Sequence, residues 1–243
     1  MIREPWFQDN TLVFDVLLND EESFVMCVYP PGSGKSTLAI LLKYYLSSNG
    51  MPEEVRNFLD NCRFQQKENE RVQSDSLYTK FRASASYVLV ADFSEVKGRT
   101  YSELEDNYSK YMLKSWRASG LPDQLIEEEK ESLKAGHVWT SLLRLRDSVC
   151  ADSGNVYVIL DSVDNMYNLI ANLPVNESKQ IANFPSEEIK SLYSRFTEGI
   201  AGIIHRGTRK IKTFCFGVSP YLITEFQKYA ISCYFLDLSL IHI

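Results

Sequence analysis

The stretch Tyr29–Thr37, YPPGSGKST, directly follows the apolar run Phe24–Val28, FVMCV. A glycine-rich loop between a strand and a helix turns consecutive backbone N–H groups toward a bound phosphate. A lysine in such a loop reaches the terminal phosphates, and the hydroxyl that follows it binds magnesium. We therefore predict a nucleotide-phosphate site formed by Gly32, Ser33, Gly34, Lys35, Ser36 and Thr37.

The start of this loop departs from the usual pattern. Tyr29 stands where the pattern has its first glycine, and Pro30 and Pro31 have no N–H to donate. Because the prolines precede the part of the loop that supplies donors, the phosphate-binding groups are retained. An ordinary glycine- and serine-rich turn is the alternative interpretation. The buried strand before the loop and the amphipathic pattern after it favour phosphate binding.

Strands alternate with helices along the rest of the chain. Helical spacing of apolar residues predicts a helix after the loop and further helices at about 101–116, 123–150 and 186–204. The pattern weakens over 51–85, where the polar run QQKENERVQSDS (65–76) is predicted to be an exposed loop or a frayed helix end, or an insertion. Runs with the apolar character of strands buried on both faces are Tyr87–Phe93, Val156–Leu160 and Lys212–Val218. This order predicts an α/β fold, a P-loop NTPase three-layer α/β/α sandwich with a mainly parallel central sheet.

The carboxyl ends of parallel strands share one edge of the sheet, where ligands bind. Asp92 and Asp161 end two of the predicted strands and lie at that edge. Asp161 is placed to hold magnesium through water, while a solvated turn is the alternative. Ser162 follows it and cannot act as a base near neutral pH without activation, so Asp164 is the candidate substitute. Ser219 is predicted either to sense the terminal phosphate or to cap the loop before Pro220.

Composition limits the partners and the environment of the chain. A net charge of -6 does not indicate a surface built to bind nucleic acid or anionic lipid. Five scattered cysteines lack the paired spacing of a zinc site and predict buried, reduced thiols. No leader or apolar run of roughly 20 residues is evident, so we expect a soluble, intracellular protein without a membrane span.

Three segments resemble the AAA-ATPase-like family of P-loop proteins. They are WFQDNTLVFDVLLNDEESFVMCVYPPGSGKSTLAILLKYYL (residues 6–46), YVLVADFSEVKGRTYSELED (87–106) and VYVILDSVDNMYN (156–168). The resemblance implies ATP and Mg²⁺ as ligands, with Lys35 on the phosphates, Ser36 on magnesium, and Asp161 and Asp164 as the two acids. Relatives usually read D-E-x-D at the third segment, where this chain has Ser162. Many relatives also carry a restriction-endonuclease-like nuclease domain after the ATPase domain.

We predict a P-loop domain over residues 1–226 and an apolar tail, truncated or non-native, over 227–243. The leading hypothesis is a Mg-dependent ATPase. A nucleotide-gated binding module, read by an unknown protein partner or within an oligomer, is the alternative that Ser162 favours. A phosphotransferase is the third hypothesis, because a phosphate loop and an acidic strand end serve kinases as well.

Overall fold

The computed structural model describes residues 9–20, 22, 24–47, 51–66, 85–119, 123–134, 155–173, 211–217 and 232–235. Their strands are β1 (Phe24–Val28), β2 (Ala85–Asp92), β3 (Asn155–Asp161), β4 (Ile211–Gly217) and β5 (Ser232–Phe235). Their helices are α1 (Val13–Asn19), α2 (Lys35–Leu46), α3 (Glu53–Asn61), α4 (Tyr101–Ala118), α5 (Asp123–Lys134) and α6 (Val163–Ala171), and a 3₁₀ turn spans Phe93–Glu95.

The five described strands form one sheet in the order β2-β3-β4-β1-β5. Every pair of neighbours is parallel. Strands β1 and β3 are therefore separated by β4, and all five strands end at the same edge. The predicted α/β class with a parallel sheet is confirmed.

Both faces of the central strands are buried, as their apolar sequences predicted. On one face, Cys27 of β1, Ile159 of β3 and Phe214 of β4 pack in a single core with residues of α1, α2 and α3. The alternating residues Met26 and Leu160 point to the opposite face and are also fully buried. This double burial is typical of a parallel sheet covered by helices.

Helix α4 begins where the sequence predicted a cap. The Thr100 hydroxyl accepts a hydrogen bond from the Glu103 N–H at 3.2 Å and so satisfies one of the free donors of the first turn. The predicted apolar side is buried at Leu104, Tyr108, Met112 and Trp116. Tyr101, also assigned to that side, is 40% exposed because it lies at the first position of the helix.

Two elements that the structure describes were not predicted from the sequence. Helix α3 precedes the polar run 65–76, and Leu59 and Phe64 enter the core around Phe14 and Tyr45. Phe64 stands edge-on to both aromatic rings, at centroid distances of 5.8 and 5.3 Å. Strand β5, at 232–235 within the predicted tail 227–243, pairs with β1. The helix predicted at 186–204 and the predicted helical residues 135–150 lie outside the described part of the chain.

The described part of the chain also bears on the predicted environment. Cys27, Cys62 and Cys215 are buried free thiols, which confirms the prediction for these three cysteines. Cys150 lies outside the described residues. Among the helices that the structure describes, none combines the length and the apolarity needed to span a membrane.

Candidate functional site

The glycine-rich loop turns sharply into α2. Gly32 and Gly34 have φ angles of 76° and 82°, in the left-handed region that only glycine enters at little cost. Gly34 is the N-cap of α2, and its carbonyl accepts the first helical hydrogen bond, from the Leu38 N–H at 2.9 Å. The helix therefore offers no acceptor to the N–H groups of Gly34, Lys35 and Ser36. These donors and the positive end of the helix dipole favour an anion at this position.

Tyr29 anchors the start of the loop in place of a glycine. Its N–H donates to the Gly217 carbonyl at 3.0 Å, which extends the β1–β4 pairing by one residue. Its side chain is 2% exposed and packs in the core below the loop. The Ser33 N–H donates to the Pro30 carbonyl at 3.3 Å, so the loop closes on itself. The Ser33 hydroxyl is buried and has no hydrogen-bond partner among the residues that the structure describes.

Lys35 lies folded over the loop. Its Nζ donates to the Pro30 carbonyl at 3.0 Å and lies 3.5 Å from the Tyr29 carbonyl. Partial burial lowers the pKa of Lys35, and the negative charges of Asp161 and Asp164 oppose that shift. The ammonium group thus lies at the point where the loop, the end of β3 and the start of α6 meet.

Asp161, the last residue of β3, lies beside the start of α2. The Ser162 N–H donates a hydrogen bond to Oδ1 of Asp161 at 2.8 Å, and the Ser36 hydroxyl lies close enough to the carboxylate to oppose the rise of its pKa. The carboxyl group is 3% exposed, and burial raises its pKa, with Asp92 adding to the shift and Ser36 and Lys35 opposing it. The predicted pair of Ser36 and Asp161 is therefore brought close together by the fold.

The residues after Asp161 begin α6. Ser162 is its N-cap, with φ 57° and ψ 35°, and it has the one positive φ outside glycine among the described residues. Asp164 lies in the first turn of α6 and is close enough to Lys35 for its negative charge to raise the pKa of Lys35. Thr37 lies in the first turn of α2, half-buried. Ser219 lies outside the residues that the structure describes, so its predicted role remains a prediction.

Sequence reasoning placed Asp92 at the right edge of the sheet but gave it no role. In the structure it is the Cα partner of Asp161 on the neighbouring strand. The signal was present in the sequence, since YVLVAD and YVILD are both apolar strands that end in an aspartate. Only the strand order shows that these two ends are neighbours.

The donor set suits a hard cation that keeps water and phosphate ligands. Ser36 and Asp161 present a hydroxyl and a carboxylate close together, the ligand types that Mg²⁺ takes beside a bound phosphate chain. Within the described ranges, no group of three or more His, Cys, Asp or Glu side chains is arranged to hold a metal ion by itself.

Comparisons of the chain with models of known protein families, with curated proteins and with solved structures found no match. The resemblance of the three segments to the AAA-ATPase-like family therefore stays a prediction.

Proposed function

We propose that this protein binds ATP with Mg²⁺ and hydrolyses it, as a P-loop NTPase of three-layer α/β/α architecture in the AAA-ATPase-like family. The observation that carries the proposal is the proximity of Ser36, at the start of α2, to the buried carboxylate of Asp161, at the end of β3. A glycine-rich turn of ordinary structural role has no need of a buried carboxylate against its serine. A site for magnesium and phosphate needs both groups together.

The loop supplies the groups that bind the phosphates. The N–H groups at the start of α2 donate to phosphate oxygens, and they are held in place by the turn at Gly32 and Gly34. Lys35 exchanges its hydrogen bond to the Pro30 carbonyl for the terminal phosphates, where its charge offsets the charge that develops during transfer. A bound Mg²⁺ would supply positive charge that neutralises part of the charge on the phosphates. Ser36 and Asp161 are the residues that would hold it, Asp161 through water.

Ser162 favours a second candidate function. It occupies the position after Asp161 where D-E-x-D relatives place a glutamate, and a serine there does not activate water. A nucleotide-gated module would use the same loop, with ATP ordering the edge of the sheet for a protein partner or a second copy of the chain. The two functions share the binding site and differ in turnover.

Lys35→Ala tests the binding site. The variant loses charged hydrogen bonds to phosphate, each worth about 1.5–3 kcal/mol. Its affinity for ATP, measured by calorimetry with Mg²⁺, should therefore fall by roughly 100-fold. Lys43→Ala is the matched control, because Lys43 lies on the same helix with its ammonium 5.2 Å from the Tyr44 ring centroid, away from the loop. Equal ATP affinity in the wild type and the Lys35 variant would refute the site. GTP titrated in the same way tests the choice of base, which follows from the resemblance alone.

Release of phosphate from ATP separates the two candidate functions. Steady-state turnover by the wild-type protein above the level of Lys35→Ala supports the ATPase. Tight ATP binding without turnover above that level supports the nucleotide-gated module.

A further inference from the structure

Asp92 and Asp161 end adjacent strands side by side. They are Cα partners in the parallel pairing of β2 with β3. Partners in register point to the same face of a sheet. That face is the one against which α2 packs, because Val90 and Ile159, two residues earlier on each strand, contact the core that contains α2. Both carboxylates therefore lie at the edge and on the face where Ser36 begins its helix.

The position of Asp92 is fixed from two sides. Its Oδ1 accepts a hydrogen bond from the Ser94 N–H at 3.0 Å, which caps the 3₁₀ turn after β2. Its own N–H donates to the hydroxyl of Tyr111 on α4. Oδ2 makes no hydrogen bond to a residue that the structure describes, and the side chain is half-buried rather than closed off from water. One oxygen is thus occupied by the fold, and the other is available to a water molecule.

Two other acidic groups near the site, Glu95 and Asp164, lie close to a lysine side chain. Glu95 is 55% exposed and pairs with Lys114 at 2.9 Å. The negative charge of Asp164 raises the pKa of Lys35, whereas that of Asp92 raises the pKa of Asp161. Asp92 is therefore the carboxylate next to Asp161 on the β2 side, with Lys35 and the loop on the β1 side of the same edge.

We propose that Asp92 is the residue that orients and deprotonates the attacking water, in the role that Ser162 cannot fill. This inference rests on the proposed function. The water oxygen forms a bond to the γ-phosphorus, and the bond from that phosphorus to the β,γ-bridging oxygen breaks, which releases ADP. The proton from water passes to Oδ2 of Asp92 and then to solvent, so that ADP, phosphate and one proton leave the site.

The test is Asp92→Asn. The asparagine side-chain oxygen can still accept from Ser94, so the cap and the fold are kept, but the amide does not take a proton from water. We expect ATP turnover to fall by roughly 100- to 10,000-fold. ATP affinity measured with Mg²⁺ should remain within about twofold of the wild type. Glu95→Gln, a neighbouring carboxylate engaged with Lys114, is the control and should keep the wild-type rate.

Each outcome of this experiment either supports or overturns the proposed role of Asp92. Loss of turnover with unchanged ATP affinity supports the proposal. Unchanged turnover in Asp92→Asn overturns it while leaving the ATPase intact, and loss of turnover in Asp164→Asn alone would place the role at Asp164. A parallel fall in ATP affinity would show that Asp92 serves the metal and not the water. Wild-type protein that binds ATP without turnover also overturns the role of Asp92, whereas wild-type protein that does not bind ATP refutes the proposed function itself.

Discussion

Lys212, near the start of β4, is a buried cation whose effect on stability can be measured. It is 9% exposed, and its ammonium group donates to the carbonyls of Leu18 and Asp20 at the end of α1. Burial lowers the pKa of Lys212 from 10.5 to about 8, and the nearby charges of Asp20 and Glu22 oppose the shift. The folded state therefore binds this proton less tightly than the unfolded state does.

The sign and size of the pH effect follow from this shift. Between pH 8 and 10.5 the unfolded state carries more protons on Lys212, so the free energy of unfolding rises with pH. Below this range both states are protonated, and folding carries the cost of the whole shift, about 3.5 kcal/mol at about 1.4 kcal/mol per pKa unit. Raising the pH from about 7 to about 9.5 should recover about 2 kcal/mol of that cost.

Lys212→Met isolates the contribution of this lysine. Urea unfolding of both proteins at the two pH values gives four free energies, and other titrating groups cancel in the comparison. We expect the stability of the wild type relative to the variant to rise by about 2 kcal/mol between the two pH values. Lys97→Met, at an exposed lysine, should show no such rise. A rise of less than about 0.5 kcal/mol would refute the argument, because the charge would then be as well solvated as in the unfolded chain.

Two further substitutions test the site and the packing beside it. Asp161→Asn should make the ligand-free protein more stable near neutral pH, since burial raises the pKa of Asp161 and so penalises its charge, yet ATP with Mg²⁺ should bind at least roughly tenfold more weakly. Thermal melts and calorimetry check it, and a less stable variant of unchanged ATP affinity would contradict it. Gly98→Ala should cost about 1–3 kcal/mol in urea unfolding, because the added methyl would lie 2.7 Å from the backbone of Leu104. An alanine tolerated there without loss would show that the loop before α4 shifts freely.

The sequence predicted the parts of the fold that local pattern determines. The strands β1, β3 and β4 are contiguous apolar runs whose limits were found to within one residue, and the helix after the loop is a periodic run. Helix α3 was missed because its polar residues outnumber its buried ones, and only the packing of Leu59 and Phe64 against Phe14 and Tyr45 gives it a place. Strand β5 was missed because four residues of edge strand carry almost no pattern of their own.

The candidate site also has one part that local sequence predicts and another part that only the strand order brings together. Gly32, Gly34, Lys35 and Ser36 are adjacent in the chain, so their arrangement follows from local sequence, and the left-handed glycines are what such a loop requires. The proximity of Ser36 to Asp161 depends on the order of β1, β4 and β3, which single strands do not reveal. The placement of Asp92 beside Asp161 depends on strand order and register together, and for that reason its proposed role emerged only from the structure.

Two features at the end of β3 reduce the free energy of unfolding, and a turn of purely structural role would not require them. Asp161 is buried although burial disfavours its charge, and Ser162 holds a left-handed conformation that costs a residue with a side chain about 1–2 kcal/mol. An asparagine in place of Asp161 would remove the first cost, and a glycine in place of Ser162 would remove the second. Strain and unfavourable burial at consecutive residues are typical of ligand sites, where the ligand offsets the cost. A cation bound at Ser36 and Asp161 would stabilise the buried carboxylate, so ATP with Mg²⁺ should raise the melting temperature more than ATP in excess chelator does.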